Sequence, residues 1–396
     1  MSWMGSHSVG LGADSAPAGL RRRAARWAAG GVAIAAALGG GVMAAPAAMA
    51  VPTIPVACST TALRSAIFFS PSNSILVLHS GCVYFIGSAL PTVTRNLTIV
   101  GSNDTFRATG SGYTMLTNIA PNLQISHLTI RNGRNTGGFF RAGAILNIGS
   151  HAGLTVSNVT FFNNEGRDGG AIFNTLGAEL TVANSTFLAN EAVGTGSDGG
   201  AIGNAPGSAT TVSGTTFTDN EAVSTGSDGG AIASLGGTVT VQAPANVFTR
   251  NFARDDGGAI ASLLGTLNVA RATFTGNQAD DDGGAVANFG ALSTLSQDGF
   301  TANLAEENGG GVATASATNL TSDTFSLNRA DRFGGGLYVR AGTSKLDTTD
   351  IFLNRATGPG FAGGGIFRVL GATVSFAHNV IVKLNAPNNC TNLFCP

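Results

Sequence analysis

A Phe, an Asn three residues on, and a Gly pair leading into a short apolar strand return again and again across residues 161–365. Phe161, Phe187, Phe217, Phe248, Phe274, Phe300, Phe325 and Ile351 take the first position. Asn164, Asn190, Asn220, Asn251, Asn277, Asn303, Asn328 and Asn354 take the second. Successive units lie 26, 30, 31, 26, 26, 25 and 26 residues apart. A period of this length, with no helix-spaced apolar face inside it, defines one supersecondary unit stacked on copies of itself. Each unit carries three short strand signals, as at residues 180–182, 186–187 and 201–202. Three strands per unit predict an all-β parallel β-helix whose coils rise roughly 4.8 Å each.

Parallel stacking turns equivalent residues into columns. The Phe column should face inward. So should Ile172, Ile202, Ile232, Ile260, Val286, Val312, Leu337 and Ile366, and a third set at Val156, Val182, Val212, Val241, Val269, Leu295, Leu320 and Leu346. The Asn column reads as a structural ladder of side-chain amides, because a residue present in every coil marks no single active site. The Gly pairs, from Gly169-Gly170 to Gly363-Gly364, are expected to supply positive φ and close backbone approach at a turn. The small residues that follow them, Ala171, Ala201, Ala231, Ala259 and Ala285, are expected to point outward. With their neighbours Phe173, Gly203, Ala233, Ala261, Ala287, Ala313, Tyr338 and Phe367 they would form a flat face able to take a partner or an extended polymer.

The alternation of GGAI with FxxN resembles the repeats of the chlamydial polymorphic outer membrane proteins and related bacterial right-handed β-helix proteins. The resemblance covers about half the chain. It implies a right-handed, pectin-lyase-like solenoid displayed at the cell surface as an adhesin-like passenger. The segment from Cys58 to Ile67, with Leu63-Arg64-Ser65-Ala66-Ile67, is similar to the CSLREA-type segment that precedes β-helices in many exported bacterial proteins.

Residues 1–50 read as an export signal: Arg21, Arg22, Arg23 and Arg26, an apolar run to Met43, then Ala48-Met49-Ala50 before Val51. Residues 51–396 then form one domain. Irregular coils and a cap occupy 58–142, regular repeats 143–373 and a C-terminal cap 374–396. A short helix from Thr60 to Ser70, with Thr60 or Thr61 as N-cap, should bury Leu63, Ala66 and Ile67 and cover the first coil. No later stretch reaches the roughly 18 apolar residues of a membrane span, so the mature chain is expected to be soluble. Cleavage changes the formal net charge from −1 to −4, with 17 basic and 21 acidic residues remaining. That balance gives no footprint for nucleic acid. The four cysteines lie outside the array, and in an oxidising compartment the local pairs are Cys58 with Cys82 and Cys390 with Cys395.

Chemistry is sought where coils differ. Asp168, Asp198, Asp228, Asp256 and Asp282 precede five successive Gly pairs, followed by Asn308, Phe333 and Ala362. Asp is favoured in an exposed turn before Gly, where solvent screens it. The density peaks at Asp255, Asp256, Asp280, Asp281, Asp282, Glu306 and Glu307, seven carboxylates that a calcium ion would relieve. A second edge drifts in sign from Glu165, Glu191 and Glu221 to Arg329 and Arg355, and reads as a solvated face. The preferred function is a secreted or cell-surface, non-enzymatic interaction or structural protein, with an extracellular polysaccharide or surface protein as partner. The alternative is a calcium-dependent polysaccharide lyase, with Arg254, Arg271 or Arg329 as base. Against it stand histidines scattered at 7, 79, 127, 151 and 378 and tryptophans confined to the export segment.

Overall fold

Each coil follows the same path, illustrated by the one that carries Phe187. A five-residue strand, Glu179–Ala183, ends at Asn184, which takes a left-handed conformation with φ 47° and turns the chain. Thr186–Leu188 follows, ended by a second left-handed residue, Ala189, φ 50°. Asn190 then leads into the two-residue strand Glu191–Ala192. A loop through Asp198-Gly199-Gly200 reaches the strand Ile202–Asn204, and a turn starts the next coil. Asn, Asp and Gly tolerate the left-handed corner, but Ala and Leu also occupy it, as at Leu327 and Leu353, held there by the stack.

The computed structural model describes residues 51–396, Phe139 and Ser197 excepted; the expected export segment, residues 1–50, lies outside the described residues. The described chain is a parallel β-solenoid of about 13 turns. Its strands gather into sheets of 23, 11 and 9 strands. The largest sheet contains both of the first two legs of each coil, because Leu97–Ala108 and Leu123–Arg131 each run through both. Registers are residue for residue: Phe187 pairs with Phe161 on one side and Phe217 on the other.

All three predicted apolar columns are buried. The Phe rings from Phe161 to Phe325 stack face to face with centroids 4.6 to 4.9 Å apart. The coil spacing sets that distance. Each ring removed from water contributes roughly 1.5–3 kcal/mol.

The Asn ladder forms as expected. Each Oδ1 accepts both the backbone N–H and the Nδ2 of the Asn one coil earlier, as Asn277 does from Asn251 at 3.0 and 2.9 Å. Each Nδ2 also donates to the carbonyl of the preceding coil's Phe, Asn277 to Phe248 at 3.0 Å. The column extends to Asn385, which the sequence reading did not include. A second ladder, also unforeseen, runs inside the 11-stranded sheet through Asn118, Asn147, Asn174 and Asn204. A third column caps backbone N–H groups with changing residue types: Ser185, Thr215, Asn246, Asp298 and Asp323.

From Gly229 onward the two glycines of a pair do different work, whereas Gly169 and Gly199, expected to take positive φ, do not. Gly229, Gly257, Gly283, Gly309, Gly334 and Gly363 have positive φ. Their partners do not, but a Cβ on Gly258 or Gly284 would fall on the carbonyl oxygen of the same glycine in the next coil. Close approach, not dihedral freedom, selects the second glycine.

The expected outward face is not one. Ala171, Ala201, Ala231, Ala259 and Ala285 belong to the core. The N–H groups of Ala171 and Ile172 both donate to the Ala201 carbonyl, at 3.0 Å each, and this doubled pairing places consecutive side chains inward where simple alternation would separate them. The neighbouring column does face away, yet Ala233, Ala261, Ala287 and Ala313 are buried. The Asp-Gly-Gly segments fold back over it, so that a Cβ on Gly203 would meet the Asp168 carbonyl. No flat docking stripe exists there.

At the start, strand Thr53–Val56 pairs with Ser74–Leu78, and helix Thr60–Phe69 lies between them in sequence. Its N-cap is Ser59, whose hydroxyl accepts from the Ala62 N–H at 3.1 Å; Thr60 and Thr61 are already helical. Leu63 and Ile67 join the core. Disulfides link Cys58 to Cys82 and Cys390 to Cys395. The segment expected as a terminal loop contributes one more strand, Cys390–Thr391, paired with Ile366 and Phe367.

Candidate acidic edge

The residues before the Gly pairs are not solvated turn residues. Asp198, Asp228 and Asp282 are 6%, 3% and 7% exposed, and Asn308 is 7% exposed. The loop presses each against the sheet, and from Asp228 to Asp282 the carboxylate caps the following coil. Asp228 Oδ1 accepts the Asp256 N–H at 3.2 Å, Asp256 Oδ1 the Asp282 N–H at 3.0 Å, and Asp282 Oδ1 the Asn308 N–H at 3.1 Å. The column is thus a carboxylate ladder, and solvent screening does not account for it.

Stacked buried carboxylates resist ionisation. Burial, reinforced by the carboxylates of Asp168 and Asp228, pushes Asp198 up to about 8. Burial and Asp228 likewise push Asp256 up to about 8. Asp281 is pushed up to about 7 by burial, by Asp282 and by a hydrogen bond with Glu307. Asp282 is raised by burial despite its hydrogen bonds from Asn308.

Of the seven carboxylates expected to cluster, five are brought into two separate groups. Asp255 and Asp256 join Asp228, and Asp281 and Asp282 join Glu307; within each group the carboxylate oxygens lie within 4.8 Å of one another. Asp280 stands apart, 4.0 Å from Arg254, and Glu306 lies 3.4 Å from the Gln278 amide. Asp228 was read only as a turn residue. Its membership comes from its place in the column directly before Asp256, whose N–H it accepts.

The second group has a feature the first does not share. The amide of Asn308 is held against it by Nδ2 donating to Asp282 Oδ1 at 2.8 Å, while its own Oδ1 is buried without a partner. A buried acceptor left unpaired costs roughly 1–3 kcal/mol. Three carboxylates and an amide oxygen are the donor set a hard divalent cation takes, so these residues fit calcium. Arg332 Nη1, 2.8 Å from Glu307 Oε1, offsets one charge from the rim.

The residues considered as a lyase base are otherwise engaged. Arg271 Nε donates to Gln297 Oε1 at 2.8 Å, Arg329 pairs with Asp331 at 2.8 Å, and Arg254 faces Asp280. On the other edge, Arg134 pairs with Glu165 at 3.0 Å.

The Chlamydia polymorphic membrane protein repeat matches this chain at residues 158–175 and 271–288. Each matched stretch contains the Phe, the ladder Asn, the capping Asp and the Gly pair. The chain is a parallel β-helix in which two coils are similar to the polymorphic membrane protein repeat. No curated protein sequence matches the chain significantly. Solved structures similar to it include ORF18 of Geobacillus virus E2, with TM-score 0.40 and 9% identity over 83% of this chain and 62% of that one. Tailspike protein 3 of bacteriophage CBA120 gives 0.35 and 14% over 84% and 59%. The catalytic unit of the GH87 α-1,3-glucanase from Streptomyces thermodiastaticus strain HF3-3 gives 0.36 and 13% over 81% and 65%. The chain spans less than two thirds of each of these. Among the described residues, no helix is long and apolar enough to cross a membrane.

Proposed function

We propose that the protein is a non-enzymatic β-helix of the cell surface or extracellular space, braced by a calcium ion and presenting its coils to an extracellular polysaccharide or surface protein. The repeat type supports the location. The observation that carries the cation is the buried, partnerless Asn308 Oδ1 beside the carboxylates of Asp281, Asp282 and Glu307. The ion would take the place of the proton that burial and its acidic neighbours favour on Asp281.

The test is thermal unfolding of chelator-stripped protein with and without added calcium. A ligand at a hundred times its Kd stabilises by about 2.7 kcal/mol, so a clear rise in Tm is expected at pH 8. Asp281 must lose a proton, and the rise should therefore fade as pH falls below 7. An Asp281→Asn/Asp282→Asn double variant should lose it. An equal shift in both proteins would remove the ion from this site. Formation of unsaturated products from polygalacturonate or alginate by the same preparation would replace the non-enzymatic reading with the lyase one.

A further inference from the structure

In a repeat array the coils that break the pattern carry what is particular to the protein, and several such breaks meet around Phe173. Asp198 lies six positions after Ala192, whereas Asp282 lies three after Ala279, so the loop through Thr195 and Gly196 is longer by three residues. Phe173 stands at the head of the column that Gly and Ala fill from Gly203 to Ala313. Its ring lies over Gly203, where a Cβ would press on the Phe173 edge. Phe140 comes from an irregular segment outside the array. It takes a left-handed φ of 57°, a costly conformation for a bulky side chain. Its ring stacks on Phe173 with centroids 6.1 Å apart and 20° between planes, yet Phe140 remains 43% exposed.

Together the loop and the two rings enclose a cleft of about 330 Å³, within the size range of ligand sites. Pro206 and Leu235 extend its apolar wall, and Asp168, Asp198 and Arg167 supply the polar side. Asp168 is held by the Arg141 N–H at 2.6 Å and lies 3.9 Å from Arg167 Nε. Asp198 is different: its carboxyl group lines the cleft wall, with Oδ2 buried beside Gly194 and without a hydrogen-bond partner. An aromatic platform open on one side, flanked by two carboxyl groups in adjacent coils, suits a ligand with an apolar face and a rim of hydroxyls.

We infer that this cleft is a binding subsite for one neutral sugar ring of an extracellular polysaccharide. The ring's C–H face would lie on Phe140, one hydroxyl would donate to Asp168, and another would meet the Asp198 carboxyl group on the same wall. Asp198 sits at about 8 and is protonated at neutral pH, so it can donate. A uronate would set its own carboxylate against Asp168, which excludes acidic polymers. The inference rests on the reading of the protein as an extracellular binding protein and not on its calcium site.

The experiment is calorimetric titration of the full-length protein, in chelator, with neutral gluco-, manno- and galacto-hexasaccharides and with hexagalacturonate. Chelator separates this result from the calcium one. Binding of at least one neutral hexasaccharide is expected, weakened ten-fold or more by Phe140→Ala. Asp198→Ala should weaken it comparably, with circular dichroism confirming the folded solenoid. Three results would each overturn the inference: no neutral oligosaccharide bound, hexagalacturonate preferred, or Phe140→Ala binding as tightly as the parent.

Discussion

Replacing Asn277 with Ala removes four hydrogen bonds from the middle of the stack. Oδ1 accepts from the Asn251 N–H and Nδ2, and Nδ2 donates to the Phe248 carbonyl and to Asn303 Oδ1, all at 2.9 to 3.0 Å. The losses are unequal. Asn251 Nδ2 keeps the Phe217 carbonyl, and Asn303 Oδ1 keeps the Asn277 backbone N–H. The Asn251 N–H loses its side-chain acceptor in a buried setting. One orphaned donor at roughly 1–3 kcal/mol, with three further bonds at roughly 0.5–1.5 each, gives a cost of about 2.5–7.5 kcal/mol. In a solenoid that cost falls on neighbouring coils before it reaches distant ones. Hydrogen exchange should therefore quicken first at the amides of the coils carrying Asn251, Asn277 and Asn303, while the Leu76 strand keeps its protection. Urea unfolding would give the total. A variant within about 0.5 kcal/mol of the parent, with unchanged exchange at Asn251, would refute the ladder's structural role, since surface substitutions alone fall in that range.

Two other tests address groups that the ladder does not touch. Asp298 and Asp323 are buried one above the other and pushed up to about 7 and about 8 by burial, Asp298 adding to the effect on Asp323. Their folded values exceed the unfolded one near 3.8, so the native state holds more protons and stability should fall as pH rises from about 4 to 8. Asp323→Asn, which the same column already accommodates as Asn246, should flatten part of that decline in Tm; superimposable profiles would contradict the assignment. Gly284→Ala should cost several kcal/mol because its Cβ meets backbone atoms of Gly310 and Leu304, whereas Gly299→Ala, whose nearest neighbour is a Thr273 methyl at 3.7 Å, should be nearly neutral in urea unfolding.

The sequence was most informative where one residue type repeats at one position. The Phe stack and the Asn ladder are visible because each coil needs the same shape and the same pair of donor and acceptor. The column through Ser185, Thr215, Asn246 and Asp298 was not, because a single capped N–H accepts an oxygen from any of four side-chain types. The second ladder went unread since only Asn118, Asn147, Asn174 and Asn204 keep it before Ser234 takes over. The Ala column was misplaced because alternation presumes one hydrogen bond per residue, and the doubled pairing at Ala201 breaks that assumption. The acidic residues were placed on the correct edge, but their burial depends on how the loop folds back. That is a tertiary fact with no local signature. Phe140 stood outside the array, so periodicity gave no reason to look at it.

The ladder has a direction. From Asn164 to Asn354 every amide presents its oxygen to the coil before it and its nitrogen to the coil after it. The side-chain dipoles therefore add along the axis, as peptide dipoles do in a helix. Turning one amide over would set oxygen against oxygen on one side and N–H against N–H on the other, so the column can reverse only as a whole. The two ends are consequently unlike. The N-terminal end must offer a donor, and Gly133 N–H meets Asn164 Oδ1 at 3.0 Å. The C-terminal end must offer acceptors, and Asn385 Nδ2 finds the Lys383 carbonyl and Asn389 Oδ1. A cap built for one end of this rod would leave the other with an unanswered charge.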